Sequence, residues 1–82
     1  MLLELQKGKK TVGRKQSQRA ILEGNAEMVY IAEDADQRIR EEAEKLCLEH
    51  GVQMVSVDTM EHLGHACGIQ VGAAVAALLK AQ

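Results

Sequence analysis

Apolar residues form two short continuous runs along this chain, and the stretch between them repeats on a helical period. "EMVYIA" (27–32) and "VQMVSVD" (52–58) are apolar, rich in β-formers and short, so each predicts a buried strand. In "DADQRIREEAEKLCLEHG", Ile39, Ala43, Leu46, Cys47 and His50 fall at helical spacing. Arg38, Arg40, Glu41, Glu42 and Glu44 cover the other face. Asp34, three residues before Gln37, predicts a capping box at the start of this helix, and Gly51 predicts its stop. Strand, helix and strand at this length predict a βαβ unit, a parallel pair joined by a right-handed crossover.

Two more helices follow from the same pattern. "GRKQSQRAILEG" (13–24) is closed by Gly24 and has Ala20, Ile21 and Leu22 to bury. Its exposed side carries Arg14, Lys15, Gln16 and Arg19 near the N-terminus. Cations there oppose the helix dipole by about a few tenths of a kcal/mol. Bound phosphate would reverse that sign, because helix N-termini offer unpaired amides to anions. A basic, solvated helix face is the plainer alternative. "DTMEHLGHACG" predicts the next helix, with Asp58 and Glu61 as a second capping-box pattern and Gly68 at its end. Met60, Leu63 and Cys67 share one of its faces.

After Gly68 the pattern stops deciding. Ile69, Gln70, Val71 and Gly72 form an apolar loop between two glycines, which either folds onto the core or covers a partner. "AAVAALL" is compatible with helix or strand on pattern alone.

His62, His65 and Cys67 suggest a metal site, but the helix argues against one. His65 and Cys67 lie about 200° apart around its axis, so only the two histidines share a face. Two histidines without a third ligand are weak evidence for zinc. No metal and no cofactor is expected, and Cys47 and Cys67 read as small core residues.

Composition narrows the function classes. Eighty-two residues predict one domain, and no apolar run approaches the roughly 20 residues that span a bilayer. The start, "MLLELQKGKK", lacks the apolar core of a secretory signal. Two cysteines without such a signal point to free thiols and a cytoplasmic protein. Net charge is −2, but the segment through Asn25 carries +4 and the remainder −6. That asymmetry fits either a polyanion partner or an ordinary charged surface. Tyr30 is the one aromatic residue, so an RNA partner would be read by shape, phosphates and base edges and not by stacking. No Ser/His/Asp set, paired carboxylates or Gly-rich phosphate loop suggests an enzyme. A small protein-interaction module is the alternative to RNA binding.

The order "GRKQSQRAILEG", "MVYIAEDAD", "LCLEHGVQMVSV", "LGHACGIQVGAA" resembles the kink-turn RNA-binding family of ribosomal proteins, the archaeal L-seven-Ae type. The similarity covers nearly the whole chain from Thr11 onward and is greatest to the small bacterial YbxF-like branch. It implies an α/β fold, a three-layer α/β/α sandwich with a mixed sheet of about four strands. In that fold "AAVAALL" is a strand, a short helix covers Leu2–Lys7, and a short strand lies around 11–12. It implies a non-enzymatic, monomeric protein whose partner is structured RNA containing a kink-turn, with the ribosome as its setting and neither DNA nor membrane. A kink-turn is a sharply bent duplex with tandem sheared G·A pairs beside a bulge. The family's contacts map onto Gly13, Arg14, Lys15, Gln16 and Arg19, on Asp36 at a flipped-out bulge nucleotide, and on Ile69, Gln70, Val71 and Gly72 against the bulged bases. Lys15, Gln16 and Arg19 stand where many relatives have Asn, Glu and Lys, and all three can donate to guanine O6 and N7. Relatives often carry Lys at Met60, Glu at Gln70 and Pro at Gln37.

Overall fold

The computed structural model describes residues 2–81. Helix α1 (Leu2–Lys7) precedes strand β1 (Lys10–Val12) and helix α2 (Arg14–Leu22). Strand β2 (Ala26–Ala32), helix α3 (Gln37–His50) and strand β3 (Gln53–Val57) follow, then helix α4 (Met60–Ala66) and strand β4 (Val75–Leu79). The strands form one mixed sheet in the order β1-β4-β2-β3. Strands β2 and β3 are parallel, as the βαβ pattern predicts, and β4 runs antiparallel to both β1 and β2.

The central strands explain why "MVYIA" and "VAALL" read as unbroken apolar runs: helices cover both faces of the sheet. Tyr30, Ala32, Ala76 and Leu78 face a core completed by Leu5 of α1 and by Leu63 and Ala66 of α4. Val29, Ile31, Val75 and Ala77 face the opposite core with Ala20 and Ile21 of α2 and Ala43 and Cys47 of α3. This is a three-layer α/β/α sandwich. The strand at "AAVAALL" forms despite its helix-favouring alanines because it lies between β1 and β2, where ladder hydrogen bonds and burial outweigh local propensity.

Two helix starts differ from the sequence expectation. Helix α3 is capped by Asp36, not Asp34: the Asp36 carboxylate accepts the N–H groups of Arg38 at 2.9 Å and Ile39 at 3.4 Å. Asp34, two residues before the cap position, accepts the Met60 N–H at 2.7 Å instead. Helix α4 is capped by Thr59, not Asp58, with its hydroxyl accepting the His62 N–H at 3.0 Å. Asp58 lies outside the cap position, where it accepts the Thr59 N–H and meets the His62 ring. In each case the neighbouring polar residue has the non-helical backbone that a cap requires, Asp36 at φ −51°, ψ 133° and Thr59 at φ −138°, ψ 155°.

This strand order positions the site. Strands β1, β2 and β3 all end, and β4 begins, at the same end of the sheet. Helices α2, α3 and α4 therefore start from one rim, which also carries the 69–72 loop.

Candidate nucleic-acid interface

The start of α2 is built around Gly13. Its φ of 111° lies in a region that L side chains rarely adopt, and it is the N-cap of α2. Its N–H donates to the Val75 carbonyl at 2.9 Å, fixing the start of α2 to the first residue of β4. A Cβ here would also lie 2.9 Å from Oε1 of Gln16, which folds back over the glycine. With no side-chain cap, this helix start differs from those of α3 and α4. Arg14, Lys15 and Gln16 are exposed around its open amides, and Arg19 is exposed one turn beyond Lys15.

Asp36 is exposed on the next connection and is fixed in place by its own capping bonds. Arg40 steadies this turn, its Nε donating to the Ala35 carbonyl at 3.1 Å. The Ala32 N–H donates to the Ala74 carbonyl at 2.9 Å, which ties the end of β2 to the chain leaving the 69–72 loop.

The loop divides between the two readings that the sequence left open. Ile69 is half-buried and packs against the Leu5–Leu63 core, so it anchors the loop. Gln70 and Gly72 are exposed, and Val71 keeps 71% of its surface open. The structure thus brings Gly13, Arg14, Lys15 and Gln16, Asp36, and Ile69, Gln70, Val71 and Gly72 to one rim, with Arg19 further along the same helix. A basic helix start, a carboxylate and an apolar tip lie side by side.

Charge on the rim is partly tied up within the protein. Arg14 approaches Glu42 of α3 at 3.8 Å, with both side chains nearly half exposed. Met60, where relatives often carry Lys, is half-buried against the core and lies under Gly72. It presents no charge.

Helix α4 separates the histidines from the cysteine. His62 and His65 are exposed, whereas Cys67 is buried on the core side. His62 Nδ1 lies 2.8 Å from the Asp58 carboxylate, and that hydrogen bond holds the Asp58 carboxyl below its usual range. Among the described residues, no three His, Cys, Asp or Glu side chains are grouped to hold a metal ion. Cys47 and Cys67 are free and buried, as the helical pattern predicts. Burial raises both thiol pKa values, that of Cys47 to about 11. Tyr30 is 0% exposed, so the one aromatic ring offers no platform for a base. A large open cleft of about 610 Å³, lined by Leu3, Lys7, Gly8, Leu78 and Lys80, lies at the opposite end of the sheet and contains none of these residues.

Two residues support the rim in roles that the sequence pattern did not assign: Asp34, expected as a helix cap, and Gly64. Asp34 joins two rim segments through Met60, and Gly64 lets the loop carbonyl approach α4. A glycine inside a helix, at about 1 kcal/mol relative to Ala, was the available signal for Gly64.

Comparison with known proteins identifies the family and the fold. A profile of the ribosomal protein L7Ae/L30e/S12e/Gadd45 family matches residues 2–82. The chain is 49% identical over 76 residues to the RNA-binding protein YbxF of Geobacillus stearothermophilus, covering 93% of each chain. It is 39% identical over 70 residues to the large ribosomal subunit protein eL8 of Halobacterium salinarum, covering 84% of this chain and 58% of that one. Among solved structures, the Giardia lamblia 15.5kD RNA binding protein superposes with a TM-score of 0.91 at 29% identity, covering 99% of this chain and 72% of that one. The chain belongs to the ribosomal protein L7Ae/L30e/S12e/Gadd45 family, consistent with a place in its YbxF-like branch.

Proposed function

We propose that the protein binds structured RNA at a kink-turn or a kink-turn-like bend and stabilises it. The observation that carries this reading is the rim itself, where the uncapped basic start of α2 stands beside Asp36 and the exposed tip of the 69–72 loop. Regular A-form RNA hides its guanine edges in a deep, narrow groove. A bend opens that groove to a helix start, so that Lys15, Gln16 and Arg19 can donate to O6 and N7. Bases thrown out at the bend need apolar cover, and Val71 is the exposed apolar side chain beside that helix start. Relatives named as RNA-binding proteins, and one named as a ribosomal subunit protein, support the same partner and a ribosomal setting in the cytoplasm. No group in the proposed interface acts as a catalyst.

The test compares a kink-turn duplex with the same duplex after its G·A pairs are changed to Watson–Crick pairs. The kink-turn should bind more tightly, and its binding should weaken with salt. If Arg14, Lys15 and Arg19 each displace counterions from one phosphate, log K should fall with log salt with a slope of about two to three. Equal affinity for the two duplexes would reduce the interaction to generic charge attraction and remove this reading. Protein partners with no RNA binding would favour an interaction module.

A further inference from the structure

The 69–72 loop has no regular structure of its own, so its shape depends on the elements that hold it. Both of its ends are bonded to α4: the Ile69 N–H donates to the Gly64 carbonyl and the Ala73 N–H to the Met60 carbonyl, each at 3.0 Å. Between those bonds the loop passes very close to the helix. A Cβ built on Gly64 would fall 2.0 Å from the Val71 carbonyl oxygen, and one on Gly72 would lie 3.1 Å from Cβ of Met60. The first contact is with backbone, so no rotamer change can relieve it. The helix is in turn fixed from outside. Asp34, 26 residues earlier in the chain and two residues before Asp36, accepts the Met60 N–H at 2.7 Å.

We infer that Gly64 and Asp34 are positioning residues for RNA recognition, an inference that rests on the function proposed above. Gly64 is the bare helix surface on which the Val71 carbonyl rests, and it sets how far the Val71 side chain projects. Asp34 fixes the first residue of α4 to the turn that carries Asp36. The acidic and apolar sides of the RNA surface are thereby held at one separation. Neither residue needs to touch RNA. A loop displaced by the bulk of one methyl group would carry Val71 away from the bases it covers, and binding constellations tolerate only small errors of placement.

Four variants test this, read by kink-turn affinity and, without RNA, by amide hydrogen exchange at Ile69 and Ala73. Gly64→Ala and Asp34→Ala should each speed exchange at these two amides and lower affinity by about tenfold, the loss of one good contact. Asp34→Asn keeps an oxygen that accepts the Met60 N–H while removing the charge, and it should bind within about twofold of wild type. Cys47→Ala, in the opposite core, should loosen the protein globally without changing affinity per folded molecule.

Folded Gly64→Ala and Asp34→Ala proteins with wild-type exchange at both amides would overturn the inference. A loosened loop with unchanged affinity would do the same, as would Asp34→Asn binding as poorly as Asp34→Ala. Should Gly64→Ala fail to fold, the Asp34 pair decides. If the wild-type protein binds kink-turn and Watson–Crick duplexes alike, the function reading fails, while exchange still reports whether α4 holds the loop.

Discussion

Val71→Asp separates an RNA-facing loop from one that merely closes the core. Val71 is 71% exposed, so the carboxylate would sit in water in the free protein, and its effect on stability should stay within about 0.5 kcal/mol. In the complex the same position would be covered. Fully burying a valine contributes about 1.5–3 kcal/mol. Covering the exposed 71% therefore gives up about 1–2 kcal/mol when the valine is lost. A carboxylate brought near a phosphate adds about 1 kcal/mol of repulsion at 4 Å in water-like surroundings. Together these weaken binding by about 2–3 kcal/mol, or roughly 30- to 150-fold. Thermal unfolding and RNA titration on one preparation give both numbers. Val71→Ala should show most of the apolar loss with unchanged salt dependence, isolating the charge contribution. Severe unfolding of Val71→Asp, or binding equal to wild type, would refute the placement of Val71 on the RNA surface.

The buried Ser17 hydroxyl, 1% exposed in α2, has no hydrogen-bond partner in the structure. Ser17→Ala should therefore stabilise the protein by about 1 kcal/mol and raise the melting temperature by about 4–8 °C with RNA affinity unchanged; a lower melting temperature would mean that the hydroxyl is paired in solution. Glu42→Gln should free Arg14 for phosphate, raising RNA affinity about two- to fivefold at low salt, with the gain fading at high salt and stability moving by less than about 0.5 kcal/mol. No gain at low salt would place Arg14 off the RNA path. The Cys47 thiol, raised by burial to about 11, should resist alkylation in the native protein at neutral pH and react on unfolding. Because the folded pKa exceeds the ordinary 9.0, its contribution is complete below that pH and is lost as pH rises toward about 11, so the stability gap between wild type and Cys47→Ala should shrink across that window.

The βαβ unit was legible because its signals are local. Two apolar runs flank a 14-residue helix whose buried face includes Ala43 and Cys47, and no distant contact is needed to recognise either period. Strand β4 was not legible from pattern, since alanines suit a helix or a tightly packed sheet. Its strand state depends on pairing with β1 and β2, whose partner residues lie far earlier in the chain, as Ile31 does for Val75 and Val12 for Ala76. The caps were missed by one or two positions for a similar reason. "AEDAD" offers several carboxylates in a row, and the backbone turn, not residue type, selects Asp36. Candidate site residues could be named from the family resemblance, but their convergence depends on the reversal of β4. That reversal brings positions 13–16, 36 and 69–72 to one rim. The loop's division into a buried Ile69 and an exposed Val71 had no signal in the sequence, because both are apolar β-branched residues.

A protein of net charge −2 can still favour a polyanion if its unpaired positive potential is concentrated in one place. Three helices begin at this rim, yet two of them have their first amides satisfied by Asp36 and Thr59. Helix α2 has neither a side-chain cap nor an acid in its first turn, and instead places Arg14 and Lys15 where the dipole is already positive. A Ser or Asp cap would ordinarily stabilise a helix by about 1 kcal/mol. Here it is disfavoured by the φ of 111° at Gly13, which an L side chain rarely adopts. The bond from Gly13 to Val75 fixes that geometry by joining α2 to the strand that follows the 69–72 loop. The backbone link that orients the helix against the loop is therefore also what leaves its amides open to an anion. Local stability is given up where a phosphate would restore it.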